Sequence, residues 1–169
     1  MEIFAPDLWA FTKTTLDQFE LENGVRRRFP GRPFTSMTYN LGPTVETFPH
    51  KDLKNLSWGL CAITSLGNYN PEEGGHIVLW ELKLVIEFPP YSTILIPSAL
   101  ITHGNTAVQP GETRRSITQY NSSGLFGWTA HGNMQFTQAK KTAVAEWWKE
   151  PLHMFSKLSD LVREAGLEM

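Results

Sequence analysis

Residues 76–104 read HIVLWELKLVIEFPPYSTILIPSALITHG, a stretch in which short apolar runs follow one another closely. Each run is rich in β-branched and aromatic residues, and proline, serine or a charged residue separates it from the next. The four runs are His76–Trp80, Leu82–Phe88, Thr93–Pro97 and Leu100–Gly104. We interpret them as consecutive β-strands, since none is long enough for a helix.

The same pattern continues on both sides of this stretch. Further strand candidates are Phe34–Leu41, Thr44–Pro49, Leu56–Leu66 and Thr113–Tyr120, which makes eight candidate strands. The long helices that a parallel sheet needs between its strands have no place in this pattern. The sequence therefore predicts a mainly β fold with flanking α-helices, in which the strands form a jelly roll or double-stranded β-helix of the cupin-like kind.

The two ends of the chain have helical character instead. Pro6 to Asn23 is predicted to be a helix, and Gly24 follows where a helix end favours positive φ. Near the C-terminus, residues 137–150 form a second predicted helix. A third runs from Leu152 to Ala165, because apolar residues there recur at helical spacing. No repeat or linker interrupts the chain, so residues 1–169 are expected to form a single domain with a core at about 34–128.

Composition excludes several classes of protein. With 41% hydrophobic and 19% charged residues, the chain is globular rather than disordered. Its formal net charge of -2 provides no large cationic field, so any contact with nucleic acid has to be local. The basic cluster Arg26-Arg27-Arg28 with Arg32 is either a solvated face or a phosphate contact.

Other sequence features bear on localisation. Charged residues and the Pro89-Pro90 pair interrupt the most apolar stretch too often for a membrane-spanning helix. A single cysteine, Cys61, cannot form an internal disulfide, and the first residues lack the basic and apolar regions of a signal peptide. We expect an intracellular protein of the nucleus or cytoplasm with no membrane partner.

Three residues form a candidate metal site. His50 and Asp52 are two positions apart at the end of a predicted strand, so both side chains lie on the same side of the chain. His103, near the end of another predicted strand, is a third candidate ligand. Two imidazoles and a carboxylate are the ligand set of non-haem Fe(II) oxygenases, which leave positions open for a chelating co-substrate and dioxygen.

A second element follows in the predicted strand Thr113–Tyr120. Arg114 and Ser116 share one face of this strand, whereas Arg115 points to the other face. A guanidinium beside a hydroxyl can receive a carboxylate, because its paired N–H donors match the two carboxylate oxygens.

In this order, His50-x-Asp52, His103 and Arg114-x-Ser116 resemble the signature of the 2-oxoglutarate and Fe(II)-dependent dioxygenases, whose fold is a double-stranded β-helix. The surrounding sequence is similar to the TET/JBP-like oxygenase domains of mushroom-forming fungi, a group related to enzymes that oxidise the methyl of methylated pyrimidines in nucleic acid. The stretches that carry this likeness are Asn55–Gly67, Gly74–Trp80, Val85–Pro90, Ile94–Ala99 and Ser116–Tyr120.

The resemblance implies a role for each site residue. His50, Asp52 and His103 would bind iron as the catalytic centre, and Arg114 with Ser116 would bind 2-oxoglutarate; Arg115 is the alternative arginine. The implied reaction is hydroxylation of a C–H bond with dioxygen. The candidate substrate is the methyl of 5-methylcytosine or a related modified base in nucleic acid.

Three alternatives stay open on the sequence. The same kind of oxygenase could act on a small molecule or a protein. The domain could be a non-catalytic metal-binding module of the same fold. It could also be a cupin-like hydrolase or isomerase that uses the three metal ligands without 2-oxoglutarate. Partner proteins are not indicated.

Overall fold

The computed structural model describes residues 1–27, 29–130, 132–133, 150–164 and 166. The chain divides into two compact units. One is Thr35–Ser123, and the other combines Met1–Phe34 with Gly124–Met169. Every described strand belongs to the first unit. The expectation of a single domain over residues 1–169 stays a prediction.

The first unit is built from eight strands, each of which overlaps one of the predicted strands. They are β1 Ser36–Asn40, β2 Thr47–His50, β3 Cys61–Asn68, β4 Ile77–Leu79, β5 Leu84–Ile86, β6 Thr93–Ile96, β7 His103–Asn105 and β8 Thr113–Tyr120. They form two four-stranded sheets, in the orders β1-β8-β3-β6 and β2-β7-β4-β5. All neighbouring strands are antiparallel. The predicted mainly β architecture is confirmed.

Two strand boundaries differ from the prediction for a local reason. The strand predicted from Leu56 begins only at Cys61, because a turn precedes it in which the Gly59 N–H donates to the Leu56 carbonyl at 2.9 Å. The strand predicted from Leu100 begins only at His103. There the Leu100 N–H donates to the Pro97 carbonyl at 2.9 Å. The apolar residues before β7 therefore form a turn rather than a strand.

The apolar residues of both sheets share one core cluster. Cys61, Ile63 and Ile96 come from the larger sheet, and Ile77 and Leu79 come from the smaller one. In β4, the buried Ile77 and Leu79 stand on either side of the less buried Val78, as in a strand with one covered face. Each fully buried aliphatic side chain contributes roughly 1.5–3 kcal/mol, so this cluster holds the two sheets together.

The second unit is helical. α1 spans Pro6–Asn23 as predicted, and the following Gly24 has φ 63, the left-handed conformation that suits glycine. Leu8, Thr12 and Leu16 form its buried face at helical spacing. α2, Ser123–Ala130, was not predicted; its sequence SGLFGWTA contains two glycines, which weaken the helical pattern.

The predicted C-terminal helix is wrong as a single element. A 3-10 helix at Glu150–Met154 is followed by a separate α-helix, α3, at Leu158–Glu164. The break includes Ser156, a residue type whose side chain competes for backbone hydrogen bonds. The helix predicted over residues 137–150 lies outside the described residues, apart from Glu150. Within the described ranges, no helix has the length and hydropathy that crossing a membrane requires.

Candidate functional site

The structure brings His50, Asp52 and His103 together. His50 is the last residue of β2 and His103 is the first of β7, and the two are direct partners across the antiparallel pair. The Asp52 carboxylate lies 3.7 Å from His50 Nε2 and 3.8 Å from His103 Nε2. One donor atom from each residue falls within 4.8 Å of the others. These three side chains can therefore share a single cation.

Backbone carbonyls orient both imidazoles. His50 Nδ1 lies 2.8 Å from the Phe48 carbonyl oxygen, and His103 Nδ1 lies 2.9 Å from the Ile101 carbonyl oxygen. A carbonyl can only accept, so in the neutral form of each ring Nδ1 carries the proton and Nε2 keeps its lone pair. Hydrogen bonds of this kind are typical of metal-binding histidines, because they set both the tautomer and the ring orientation.

The two histidines differ in their access to solvent. The His103 side chain is 5% exposed, whereas that of His50 is 41% exposed. Burial lowers the pKa of His103, and the imidazole of His50 adds to the effect. The neutral form, which is the form that binds a metal, is thereby favoured.

The third ligand, Asp52, is held by a polar frame. Asn55 Nδ2 donates to Asp52 Oδ2 at 3.2 Å and to Ser98 Oγ at 3.0 Å. The Asp52 N–H donates to the Ser98 carbonyl at 3.0 Å. Both the backbone and the carboxylate of Asp52 are therefore fixed by groups outside the triad.

Arg114 and Ser116 line the same cavity as the triad. This cavity has a volume of about 320 Å³. Arg114 is 2% exposed and Ser116 is 5% exposed. Arg115 is exposed on the other face of β8, as the alternation predicts, and does not line the cavity. The structure thus places all five predicted site residues around one cavity, with Arg114 as the arginine that faces it.

The guanidinium of Arg114 is only partly satisfied. Its Nη1 donates to the Val45 carbonyl at 3.2 Å, and a hydrogen bond joins the side chain to Tyr69. The buried Nε finds no hydrogen-bond partner among the described residues. Burial lowers the pKa of Arg114, yet an arginine stays protonated. A buried unpaired donor costs about 1–3 kcal/mol, so an oxygen ligand at this position would be stabilised.

The groups that support Arg114 and Ser116 could not be identified from the sequence. The buried Tyr69 hydroxyl contacts Ser65 Oγ at 2.6 Å and donates to the Phe88 carbonyl, which leaves its oxygen to accept from Arg114. Asn40 Nδ2 donates to Ser116 Oγ at 3.0 Å. These residues come from separate parts of the chain, and no local spacing relates them.

His76 and the basic cluster make other contacts. His76 precedes β4, and its Nδ1 contacts Thr106 Oγ1 at 3.1 Å. His131 lies outside the described residues. In the basic cluster, Arg27 forms ion pairs with Asp17 and Glu20, so its charge is already neutralised. Arg28 lies outside the described residues.

Comparison with known proteins addresses the fold. No family model and no curated protein sequence matches the chain. Among solved structures, NgTET1 in complex with 5mC DNA matches with a TM-score of 0.52 and 12% identity, over 83% of this chain and 49% of that one. The viral collagen prolyl hydroxylase vCPH from Paramecium Bursaria Chlorella virus-1, in its 2OG complex, matches with a TM-score of 0.38 and 13% identity, over 65% and 70% of the two chains.

The likeness to NgTET1 extends over most of this chain, which spans about half the length of that protein. At this level of identity it is a likeness of fold. Together with the two antiparallel sheets, it confirms the predicted jelly roll of the double-stranded β-helix type.

Proposed function

We propose that this chain is an Fe(II)- and 2-oxoglutarate-dependent dioxygenase that hydroxylates a C–H bond. One observation carries the proposal. A single cavity has two histidines and an aspartate on its wall together with a buried arginine that retains an unpaired N–H. Its volume of about 320 Å³ is in the range of small-molecule sites.

The donor set fits the metal. The Nδ1 hydrogen bonds of His50 and His103 leave Nε2 as the ligand atom of each neutral ring, and Asp52 supplies one carboxylate oxygen. Three protein ligands of this kind leave further coordination positions open, which suits non-haem Fe(II). When bound, Fe(II) with 2-oxoglutarate activates dioxygen for attack on a C–H bond.

The cavity also fits a dicarboxylate. Arg114 would bind the distal carboxylate of 2-oxoglutarate through its unpaired Nε and the rest of the guanidinium. Ser116 accepts a hydrogen bond from Asn40, so its own hydroxyl proton is available to a carboxylate oxygen. A hydrogen bond to Tyr69 holds the guanidinium in place.

The walls of the cavity support this assignment. Ile63 and Ile77 line it as buried apolar residues, and Arg114 itself is almost fully buried. Removal of water strengthens a guanidinium–carboxylate pair, because the local dielectric is low. The chain's contribution is therefore to hold the dicarboxylate firmly and to keep water from the buried end.

For the substrate, we propose the methyl of 5-methylcytosine or a related modified base in nucleic acid. The sequence resemblance to TET/JBP-like domains supports this, as does the 5mC DNA in the NgTET1 complex. With a net charge of -2, the phosphate contacts have to be few. Lys54, exposed on the wall of the cavity, is the candidate for one of them. A protein or a small molecule as substrate is the alternative that the experiment below separates, and localisation in the nucleus or cytoplasm stays a prediction.

The first test is spectroscopic. Fe(II) and 2-oxoglutarate added without oxygen should produce a visible metal-to-ligand charge-transfer band, and His50→Ala should abolish it. A wild-type protein that develops no band would contradict the proposal. Metal-dependent turnover that is equally fast in Arg114→Ala would indicate the cupin-like hydrolase or isomerase, which uses the metal ligands without 2-oxoglutarate.

The second test concerns the substrate. Decarboxylation of 2-oxoglutarate should rise above its substrate-free rate with methylcytosine-containing DNA or RNA, and the matching unmethylated strands serve as the control. Equal rates with both would overturn the nucleobase proposal while leaving the oxygenase assignment intact. Cofactor binding with no turnover of any substrate would favour a non-catalytic metal-binding module.

A further inference from the structure

Glu81 contacts both segments that carry the candidate metal ligands. Its Oε1 accepts from Lys51 Nζ at 2.9 Å and from Thr102 Oγ1 at 2.7 Å, and its Oε2 accepts from the Thr102 N–H at 2.7 Å. Lys51 stands between His50 and Asp52, and Thr102 immediately precedes His103. The Glu81 carboxylate therefore bonds to residues that are next to each of the three candidate ligands in the sequence.

This contact matters because β2 is an edge strand with a single neighbouring strand. β2 lies at the edge of its sheet, all four of its residues are exposed, and β7 is its single neighbour there. Its register with β7 is irregular between Thr47 and His50. Thr47 donates to Asn105 Oδ1 at the start of β2, and Asp52 bonds to Ser98, whereas the bonds to Glu81 join the two ligand segments to one carboxylate.

The turn between β4 and β5 holds Glu81 in place. Lys83 adopts a φ of 54 in this turn, and its N–H donates to the Trp80 carbonyl at 3.1 Å. The Trp80 N–H in turn donates to the Thr102 carbonyl at 3.0 Å. The turn is therefore attached to the segment before His103 by backbone and side-chain hydrogen bonds together.

We propose that Glu81 is a positioning residue of the metal site, whose carboxylate holds the His50-Lys51-Asp52 segment and the Thr102-His103 segment in the arrangement that a cation needs. The inference rests on the proposed function, since it requires the triad to bind a metal. It assigns a role to a residue that touches neither metal nor substrate.

Two further features agree with this role. Hydrogen bonds from Lys51 and Thr102 lower the pKa of Glu81 to about 2, so the carboxylate is ionised at neutral pH. The carboxylate is also exposed, and an exposed ion pair adds little to folding stability. Loss of Glu81 should therefore affect the geometry of the site more than the stability of the fold.

The experiment is a titration of the protein with Co(II) alone. Calorimetry measures the affinity, and visible absorption reports the geometry around the metal. Glu81→Gln keeps the size of the side chain but replaces one acceptor oxygen by an NH₂ group that cannot accept from its present donors. We expect Co(II) binding to weaken about tenfold and the visible bands to change, as is typical when groups that orient metal ligands are altered. Glu87→Gln, the same change at an exposed glutamate that contacts neither ligand segment, should bind Co(II) like the wild type.

Thr102→Val is the milder variant, because it removes the hydroxyl donor and keeps the backbone N–H. It should weaken Co(II) binding by a factor of about three, so the test stands even where Glu81→Gln folds poorly. The thermal midpoint of the metal-free protein should be similar in all variants. A purely structural role would lower that midpoint and leave Co(II) affinity unchanged.

The outcomes separate the two proposals. A wild-type protein that binds no Co(II) removes the metal site and the proposed function with it. A wild-type protein that binds Co(II), with Glu81→Gln binding as tightly as Glu87→Gln, overturns the positioning role and leaves the proposed function standing.

Discussion

The two groups of residues on the cavity wall are held by very different frameworks. The candidate metal ligands lie at the ends of β2 and β7, strands of four and three residues, and the His50 side chain is 41% exposed. Arg114 lies on the eight-residue β8, between β1 and β3 in the larger sheet, and is 2% exposed. The first group is the more open one through His50, although His103 is 5% exposed, and the second is buried within a continuous ladder.

This difference matches two chemical requirements. Residues that bind a metal next to a substrate have to stay accessible, and nearby carbonyls and carboxylates are enough to orient them. A group that binds a carboxylate benefits from burial, since charge-assisted hydrogen bonds are strongest away from water. In the proposed function the two sheets would therefore have separate tasks, and substitutions in each should affect one ligand at a time.

The largest effect is expected at the open group. Asp52→Ala removes the carboxylate that lies between the two Nε2 atoms, so metal binding should weaken by at least about a hundredfold. Calorimetric titration with Mn(II) or Co(II) measures this. Glu72→Ala, at an exposed acidic residue outside the cavity, is the control and should bind like the wild type. Full retention of affinity in Asp52→Ala would exclude the triad as the metal site.

At the buried group, Arg114→Lys should weaken 2-oxoglutarate binding by roughly tenfold to a hundredfold, because an ammonium cannot present two parallel donors to a carboxylate. Metal affinity should stay within about a factor of two, since the triad is on the other sheet. Arg115→Lys is the matched control, as Arg115 is exposed on the opposite face. If the control had the larger effect, Arg115 would be the carboxylate-binding residue.

Two glycines allow each framework to be disturbed separately. Gly67 pairs with Arg114 across β3 and β8 and has φ 122, and an added Cβ would collide with the Thr113 carbonyl. Gly67→Ala should destabilise the fold by about 2 kcal/mol and weaken 2-oxoglutarate more than metal. At Gly104, beside His103, an added Cβ would lie 2.6 Å from the Thr47 carbonyl oxygen and would push β2 from β7.

Gly104→Ala should therefore show the reverse preference and weaken metal binding more than 2-oxoglutarate binding. Denaturant unfolding and the two titrations measure these effects. Gly42→Ala, where the nearest atom would be 3.6 Å away, should change neither. Identical losses of both ligands in both glycine variants would show that the two groups do not act separately.

A last prediction concerns the core that the two sheets share. Cys61 is 1% exposed, and burial raises the pKa of its thiol to about 12. Since the thiolate is the reactive form, iodoacetamide at about pH 8 should label the folded protein at least a hundredfold more slowly than the urea-unfolded chain. Mass spectrometry over time measures the labelling. Rapid modification of the folded protein would mean that the core opens readily.

Much of this architecture follows from local patterns in the sequence. Alternation along residues 113–120 was enough to place Arg114 and Ser116 on one face and Arg115 on the other, since side chains in a strand alternate strictly. The helix at Pro6–Asn23 was equally accessible, because Pro6 and Gly24 mark its ends. The eight short strand candidates predicted the jelly roll, and the five site residues with the stretches around them resembled a family that has this fold.

Other features depend on partners that are distant in the chain. No local spacing relates Glu81 to Lys51 or Tyr69 to Arg114, because each contact joins segments that only the packed fold brings together. The exposure of His50 and the burial of Arg114 could not be predicted from the sequence either. A strand pattern gives the face on which a side chain lies, but not how deeply that face is covered. Periodicity is a property of one segment, whereas the depth, register and support of a site are properties of the packed sheets.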